Sequence, residues 1–282
     1  MRRVGPLLIV MAVSCAALVW NLGRSTASTP TSGRRLWATV RVCSDPNNLP
    51  FSNAAGEGFE NRLADLVARD AGTRVVYTWW AQRRGFLRNT LNAGLCDLVV
   101  GYPTGGEMVK TTTPYYRSTY VFASRRSQHL RIQSFDDPML RRLKVGVQLV
   151  GDDGANTPPA HSLSRRGVIA NVTGYSVYGD YRSNSPPSAI VAAVARGDVD
   201  IATVWGPLAG YFAARQSEPL DLIPVHPQLD DQLPQTFDIS MAVRSDDSAR
   251  LEWLNRFLAR RKPEIDRILA AYHVPRVDRE VP

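Results

Sequence analysis

A polar turn follows the first apolar run of the chain and carries side chains suited to ligand binding. Residues 36–43 read as a buried strand, and the turn DPNNLPF, residues 45–51, follows almost at once. Asn47 and Asn48 offer amide donors and acceptors, and Phe51 offers an aromatic face. These groups can hold a ligand without transferring protons or electrons to it. The turn therefore predicts a binding site.

Side chains that commonly catalyse reactions do not cluster in the sequence. The four histidines, His129, His161, His226 and His273, lack metal-ligand spacing. No Gly-x-Ser-x-Gly elbow or Cys-His pairing stands out either. We therefore predict a protein that is not an enzyme and that holds no cofactor.

An acidic loop at residues 151–156 invites a metal interpretation but is too poor in ligands. It supplies the side chains of Asp152, Asp153 and Asn156, whereas a calcium-sized cation takes about 6 to 8 oxygen ligands. No metal site is predicted. We expect Asp152 and Asp153 to stabilise the following helix through its dipole instead.

The first residues have the features of an export signal. Arg2 and Arg3 precede an apolar run that ends at Trp20, and small residues 25–27 provide a cleavage context. The run, residues 4–20, is shorter than the ~20 residues that a membrane span needs. We predict a cleaved signal peptide over residues 1–27, a flexible leader over 28–35, a periplasmic location, and no membrane insertion after cleavage.

Charge and composition describe the remaining chain. Loss of Arg2, Arg3 and Arg24 with the signal peptide would lower the formal net charge from +8 to +5, and 44% of the residues of the full chain are apolar, as in soluble globular proteins. No block of Lys and Arg with interleaved aromatic residues appears, so we predict no nucleic-acid partner.

Two cysteines, Cys43 and Cys96, remain beyond the leader. An oxidising compartment favours a disulfide between them. However, Cys43 lies late in one predicted strand and Cys96 at the start of another, an offset that could exceed the ~7 Å limit between Cα atoms. Both the disulfide and two free thiols stay open.

Strand and helix patterns alternate along the chain, which predicts parallel strands joined by right-handed crossovers. The predicted strands are residues 36–43, 74–79, 97–101, 144–148, 201–205, 220–225 and 237–244. The predicted helices cover residues 59–67, 86–93, a segment capped by Thr157 with Pro158 at its first position, residues 187–196, and two C-terminal helices separated by Pro263.

Several short motifs occur in the order seen in bilobal periplasmic solute-binding proteins that capture polar amino acids for ABC importers. The chain resembles these proteins in Pro50-Phe51, Gly58-Phe59, the Leu91, Gly94, Asp97 step, and Pro114-Tyr115-Tyr116. The resemblance implies an α/β fold of the type II periplasmic-binding-protein kind, with two lobes of mixed and parallel sheets flanked by helices and an interlobe cleft. Lobe 1 would comprise residues 36–124 and 238–282, and lobe 2 residues 125–237.

In such a fold the ligand binds where the strands end and the lobes meet. Ordinary core packing stays open as the alternative for the aromatic residues expected there, and a solvated pair for the two arginines. The side chains expected at the cleft, for a ligand or a partner, are Asn47, Asn48, Phe51, Trp79, Trp80, Arg83, Arg84, Tyr102, Tyr115, Tyr116, Asp152, Asp153, Asn156, Thr157 and Trp205.

The resemblance also shows where this chain departs from amino-acid binders. Their ligand-pairing Arg and Asp would fall near Met108 and Gly206 here. Without them, a bound zwitterion would lose two charge-assisted hydrogen bonds of ~1.5 to 3 kcal/mol each. A standard amino-acid ligand is therefore not expected, and the cleft should present neutral side chains where ligand charges are usually paired.

Longer stretches resemble a narrower family. CSDPNNLPFSN, YTWWAQRRGFLRNTLNAGLCDLVVG and GVQLVGDDGANTPPAHSLSRRG are similar to the J proteins of methanol oxidation systems, MoxJ and XoxJ, described as quinoprotein-dehydrogenase-associated ABC transporter substrate-binding proteins. This resemblance implies a periplasmic accessory factor whose partner is a subunit of a pyrroloquinoline-quinone (PQQ) dependent alcohol dehydrogenase, and which aids maturation or activation of that enzyme. A solute-binding subunit of an importer, with a small solute as ligand, stays open as the alternative.

Overall fold

The computed structural model describes residues 36–150, 156–177 and 181–278, so the predicted signal peptide and leader lie outside the described residues. The strands are β1 Val40–Ser44, β2 Asn47–Asn48, β3 Ser52–Asn53, β4 Val75–Trp79, β5 Val99–Pro103, β6 Lys110–Thr111, β7 Tyr116–Arg125, β8 Val145–Leu149, β9 Val172–Ser176, β10 Ile201–Trp205, β11 Leu220–Pro224, β12 Leu229–Asp230, β13 Leu233–Pro234 and β14 Thr236–Val243. The α-helices are α1 Phe59–Asp70, α2 Phe86–Asn89, α3 Pro158–Arg165, α4 Ala189–Arg196, α5 Gly206–Ala213 and α6 Ser248–Ala271.

A mixed sheet forms the centre of the fold. Its strand order is β5-β14-β7-β10-β8-β9, with β11 also paired to β7 and β6 to β14. The pairs β8-β9 and β8-β10 are parallel. Parallel pairing was predicted for β8 and β10, whereas β7 and β9 were not predicted as strands, and β7 and β14 run antiparallel to their neighbours. Strand β1 pairs with β4 in parallel, and Val42 forms a further parallel bridge to Leu98.

The long strand β7 connects separate hydrophobic cores. Tyr116, at its start, packs in a first core with α1 and α6, which includes Phe59 and Phe257. Val121, farther along the strand, packs in a second core with residues of α4 and α5. Phe122 packs in a third core that covers β8. Strand β14 pairs with β7 over residues 116–119, so the antiparallel pair lies at the junction between the first core and the other two.

The prediction of two C-terminal helices was wrong, because α6 runs through Pro263 without interruption. Leu254, Leu258, Ile265 and Leu269 keep helical spacing across the proline, and all four are buried in the first core. An interior proline costs ~3 kcal/mol. Burial of apolar side chains on both halves of the helix offsets that cost.

Two smaller predictions also need correction. Helix α2 is one turn long, Phe86–Asn89, and residues 90–95 form turns rather than its continuation. Thr157 stands at the N-cap of α3, but its hydroxyl does not cap the helix. The hydroxyl donates a hydrogen bond to the carbonyl of Gln148 at 2.6 Å, which ties the start of α3 to the end of β8.

Cys43 and Cys96 form a disulfide, with Cα atoms 5.5 Å apart. The expected offset does not arise because Cys96 precedes the strand. β5 begins only at Val99, and the Leu95 N–H bonds back to the Thr90 carbonyl at 3.0 Å. The chain therefore curls toward β1 before it extends.

The buried carboxylate of Asp97, next to the disulfide, positions the segment that leads into β5. Asp97 is 2% exposed and accepts hydrogen bonds from Arg41 at 2.7 Å and from Arg244 at 3.0 Å. Burial opposes ionisation of Asp97, but these hydrogen bonds outweigh it and lower the pKa of the carboxyl. The Leu-Gly-Asp step of the sequence is thus a structural device that positions β5.

Among the described residues, the structure contains no helix that combines the length and the apolar character needed to cross a membrane.

Replacing both Cys43 and Cys96 by alanine should lower the free energy of unfolding by about 4 kcal/mol, because the bridge closes a loop of 53 residues. Urea unfolding of protein produced in an oxidising compartment measures this. Addition of a reductant should shift the unfolding midpoint of the wild type but not of the double variant. Equal midpoints for wild type and variant would contradict the prediction.

Candidate functional site

A cavity of about 340 Å³ lies at the junction where β7 and β14 connect the cores. Several lining residues stand at or just beyond the carboxyl ends of strands β1, β5, β8, β9 and β10, the place where α/β folds bind ligands. The lining residues are Asp45, Asn48, Phe51, Glu60, Gln82, Gly101, Tyr102, Pro103, Tyr116, Tyr120, Gln148, Val177, Tyr181, Trp205, Leu208, Phe237 and Ile239.

The polar turn fixes the start of α1. The carbonyls of Pro50 and Phe51 accept hydrogen bonds from the N–H groups of Phe59 and Glu60 at 2.8 and 2.9 Å. These bonds satisfy two of the donors that a helix N-terminus leaves open. A Cβ on Gly58 would stand 2.0 Å from the Phe51 oxygen, so a residue without a side chain is required there. The turn thereby directs Glu60 toward the cavity.

Glu60 places an isolated carboxyl group in the cavity wall. The residue is 8% exposed, and among the described residues no group donates a hydrogen bond to its carboxyl oxygens. A Cβ on Gly101 would lie 2.0 Å from Glu60 Oε1, so the glycine leaves the space that the carboxyl occupies. Burial, and then the negative charge of Asp45, raise the pKa of Glu60 to about 8.

Asp45 is the second carboxyl group of the wall, and its oxygens are satisfied. Oδ1 accepts from the Asn47 N–H at 2.8 Å, and Oδ2 accepts from the Gln82 N–H at 2.7 Å and from the Tyr181 hydroxyl. The residue is 3% exposed. Its hydrogen bonds join β1, the loop after β4 and the segment that begins at Tyr181.

That segment, residues 181–185, lies over the polar turn. The Asn47 amide donates to the Ser183 carbonyl at 2.9 Å and accepts from the Ser185 N–H at 3.2 Å. The guanidinium of Arg83 lies 4.9 Å from the centre of the Tyr181 ring. Asn47 therefore binds residues 181–185 through hydrogen bonds and does not line the cavity.

Aromatic rings form the apolar part of the wall. Trp205 meets Tyr120 and Phe237 edge to face, at ring-centre distances of 5.3 and 5.8 Å. Phe51 packs edge to face on Phe59 at 5.4 Å. The backbone N–H of Trp205 donates a hydrogen bond to Gln148 Oε1 at 3.1 Å, which fixes the end of β10 beside the end of β8. The cavity therefore combines an aromatic enclosure with carboxyl groups.

The structure brings only some of the predicted residues to the cavity, namely Asn48, Phe51, Tyr102, Tyr116 and Trp205. Trp79 stacks on Tyr77 at 4.4 Å, and the Tyr115 hydroxyl donates to the Val100 carbonyl at 3.1 Å. Trp80 is 43% exposed, and Arg83 and Arg84 are exposed beside it.

In the second half of the chain, the Asn156 side chain accepts a hydrogen bond from the Val150 N–H at 3.3 Å, and Thr157 is buried at the start of α3. Asp152 and Asp153 lie outside the described residues. The described residues contain no group of three or more His, Cys, Asp or Glu side chains placed to hold a metal ion.

Sequence reasoning missed the acidic part of the cavity. Asp45 and Glu60 line the cavity, but neither was among the predicted cleft residues. Asp45 belongs to the turn that was singled out, and Glu60 follows the Gly58-Phe59 motif directly, so proximity to both motifs was the available signal. Tyr120, Gln148, Tyr181 and Phe237 carried no such signal.

Gly206 stands where the resemblance to amino-acid binders would place the ligand-pairing aspartate, and the space there explains why this chain has no side chain at that position. A Cβ there would lie 2.5 Å from the Thr119 carbonyl oxygen and 2.9 Å from Ser118 Oγ, so an aspartate would not fit. Met108 is 53% exposed and is not a lining residue.

Comparison with known proteins gives a consistent set of relatives, although no protein-family model matches the chain. The chain is 30% identical to Protein MoxJ of Methylorubrum extorquens over an alignment of 281 residues. This alignment covers 95% of the chain and 91% of that protein. Protein MoxJ of Paracoccus denitrificans is 27% identical over 255 residues, 84% of this chain and 88% of that protein.

Solved structures agree with the sequence relatives. The crystal structure of the periplasmic binding protein XoxJ from Methylobacterium extorquens AM1 superposes with a TM-score of 0.70 and 33% identity, over 85% of this chain and 100% of that one. The crystal structure of MxaJ from Methlophaga aminisulfidivorans MPT superposes with a TM-score of 0.71 and 26% identity. The superposition covers 84% of this chain and 100% of that one.

The isolated carboxyl of Glu60 makes stability depend on pH in a defined direction. The folded protein retains a proton that the unfolded chain releases above the ordinary pKa of 4.5, so the stability contributed by this group falls as pH rises from about 4.5 to about 8. Asp45, Tyr77, Tyr115 and Tyr116 carry the charges or hydroxyls that interact with it electrostatically.

Glu60→Gln should remove this dependence, so that the variant gains stability relative to the wild type by roughly 3 to 5 kcal/mol between pH 5 and pH 9. Urea unfolding of both proteins across that range provides the measurement. The matched control is Glu57→Gln, which alters an exposed carboxyl three residues away. A constant difference between wild type and Glu60→Gln at all pH values would contradict the prediction.

Proposed function

The chain belongs to the MoxJ/XoxJ family of periplasmic binding proteins and has their type II binding-protein fold, and on that premise we propose that it is a periplasmic accessory factor for a PQQ-dependent methanol or alcohol dehydrogenase. In this role it aids maturation or activation of the enzyme. The observation that carries the proposal is the similarity to MoxJ along 95% of the chain.

An exposed face beside the cavity supports a protein partner. Trp80 is 43% exposed, and Arg83 and Arg84 are exposed next to it in the loop that follows β4. Tryptophan and arginine are the residues most enriched at the energetic centres of protein interfaces. Gln82 of the same loop lines the cavity, so a partner on this face would stand at the cavity's edge.

The architecture supports a binding protein whose parts enclose a ligand. The first core and the other two would correspond to the two predicted lobes, joined by β7 and β14. Hydrogen bonds from Asn47 and Asp45 to residues 181–185 would hold the lobes together over the cavity. At about 340 Å³ the cavity suits a small solute or one inserted side chain, and it is too small for a helix.

A second role is supported by the cavity itself. Its volume lies in the range of about 300 to 1,000 Å³ that is usual for small-ligand sites. A solute-binding subunit of an ABC importer would use such a cavity directly. That role predicts a thermal shift with a small solute and no effect on a dehydrogenase.

Affinity purification of the tagged protein from its native periplasm at low salt tests the accessory role. We expect a PQQ dehydrogenase subunit among the proteins identified by mass spectrometry. Adding the purified accessory protein should also raise the specific activity or the cofactor occupancy of the dehydrogenase. Trp80→Ala should reduce recovery of the subunit ~tenfold or more, as loss of an interface tryptophan does.

Two further variants make the result interpretable. Ile169→Ala removes another exposed apolar side chain, 62% exposed and outside the cavity lining, and should leave recovery unchanged. Trp205→Ala alters the cavity and should reduce recovery if the partner inserts a group there. If no dehydrogenase subunit is recovered, and the enzyme's activity and cofactor occupancy do not respond, the proposed role is wrong.

A further inference from the structure

The carboxyl group of Glu60, which accepts no hydrogen bond from any described residue, is the feature of the cavity that most strongly indicates a ligand-binding site. More than nine-tenths of the residue is buried, it faces the cavity, and no described residue donates to its oxygens. Buried polar groups nearly always have a hydrogen-bond partner, and an unpaired carboxylate is especially costly. The missing partner would therefore come from a bound molecule with N–H donors.

The charge of the lining points to the sign of that molecule. Among the described lining residues, Asp45 and Glu60 carry carboxyl groups, and none is lysine, arginine or histidine. The guanidinium of Arg83 lies over the Tyr181 ring and is not part of the lining. Asp45 already accepts three hydrogen bonds, so its negative charge acts on the cavity mainly at a distance. The negative charge of Asp45, together with that of Glu60 once it releases its proton, attracts cations and repels anions.

The aromatic rings that line the cavity also favour a positively charged ligand. Trp205 packs against both Tyr120 and Phe237, and Phe51 and Tyr116 face the cavity from the first core. Aromatic faces attract cations such as ammonium and guanidinium, and most strongly when water is excluded. The rings also offer apolar surface to a short alkyl stem.

We infer that this cavity binds an organic cation with N–H donors, an alkylammonium or alkylguanidinium group, which pairs with Glu60 while the aromatic rings enclose its stem. The inference rests on the proposed use of the cavity as a binding site, and it does not depend on which protein is the partner. Absence of an arginine in the described lining argues against a carboxylate on the same ligand.

The same cation could come from two sources, a free small amine or guanidine, or a lysine or arginine side chain that a partner protein inserts. Both supply the positive charge and the donors that Glu60 lacks. Size does not separate them, because either fits a space of about 340 Å³.

Calorimetric titration of the isolated protein with matched probes tests the inference. Ethylguanidinium and propylammonium should bind at least tenfold more tightly than their neutral analogues, ethylurea and 1-propanol. Tetramethylammonium, which has charge but no donor, should fall between them. Glu60→Gln should weaken binding of both N–H cations at least tenfold, whereas Glu57→Gln should leave their affinity unchanged.

A measurement on the wild type alone guards against a variant that folds poorly. Because the empty protein holds a proton on Glu60 near neutral pH, a bound cation should displace it. Titrations of ethylguanidinium in buffers of different ionisation enthalpy should therefore detect proton release at pH 7, and affinity should rise at least tenfold from pH 6 to pH 9.

Short peptides with a central lysine or arginine, compared with an alanine version, distinguish the two sources. Glu60-dependent binding of the free probes alone indicates a small solute, and Glu60-dependent binding of the peptides indicates an inserted side chain. Either result supports the inference. Equal affinity for charged and neutral probes, or no binding of any cation at 10 mM (roughly the weakest useful affinity), would overturn it. Recovery of the dehydrogenase would be unaffected by that failure, so the two proposals can fail separately.

Discussion

The carboxyl group of Glu60 lies in the cavity wall, where no described residue donates a hydrogen bond to it, and the surrounding turn, helix and strand position it there. The turn at residues 45–51 caps α1 with two carbonyls and sets the direction in which the helix begins. Gly58 permits the close approach of that turn, and Gly101 leaves room for the carboxyl over β5. An apolar site with one uncompensated acid is costly in an empty protein, and the cost is recovered when a ligand supplies the partner.

The architecture explains why this carboxyl faces a cavity and not a packed core. Strand β7 runs from the first core into the other two, and its antiparallel partner β14 bridges the same junction. Tyr120 and Phe237 near the junction are half-buried and line the cavity. The enclosure is completed by segments from the other side, where Tyr181 reaches Asp45.

Periodicity and turn residues in the sequence predicted seven of the strands and the alternation of strands and helices, because buried strands and amphipathic helices leave local patterns. The type II binding-protein fold was implied by the resemblance to solute-binding proteins, and the long strand β7 was not predicted. Longer-range effects were not accessible. Helix α6 continues through Pro263 because both of its halves pack in one core, a fact that the proline alone does not reveal. The disulfide depended on where β5 begins, which differs by two residues from the predicted start and decides the distance between Cys43 and Cys96. The carboxyl groups of the cavity were missed because Asp45 and Glu60 are far apart from Tyr120 and Trp205 in the chain, and only the fold brings them together.

Titration of the Glu60 carboxyl by carbon-13 NMR tests the account most directly. The resonance is assigned by its loss in Glu60→Gln, and it is followed with and without saturating ethylguanidinium. The account predicts a midpoint at about pH 8 in the empty protein and a markedly lower midpoint in the presence of the cation. A midpoint near 4.5 in the empty protein, unchanged by the cation, would contradict it, since the carboxyl would then be solvated and the cavity would have no unpaired acid to satisfy.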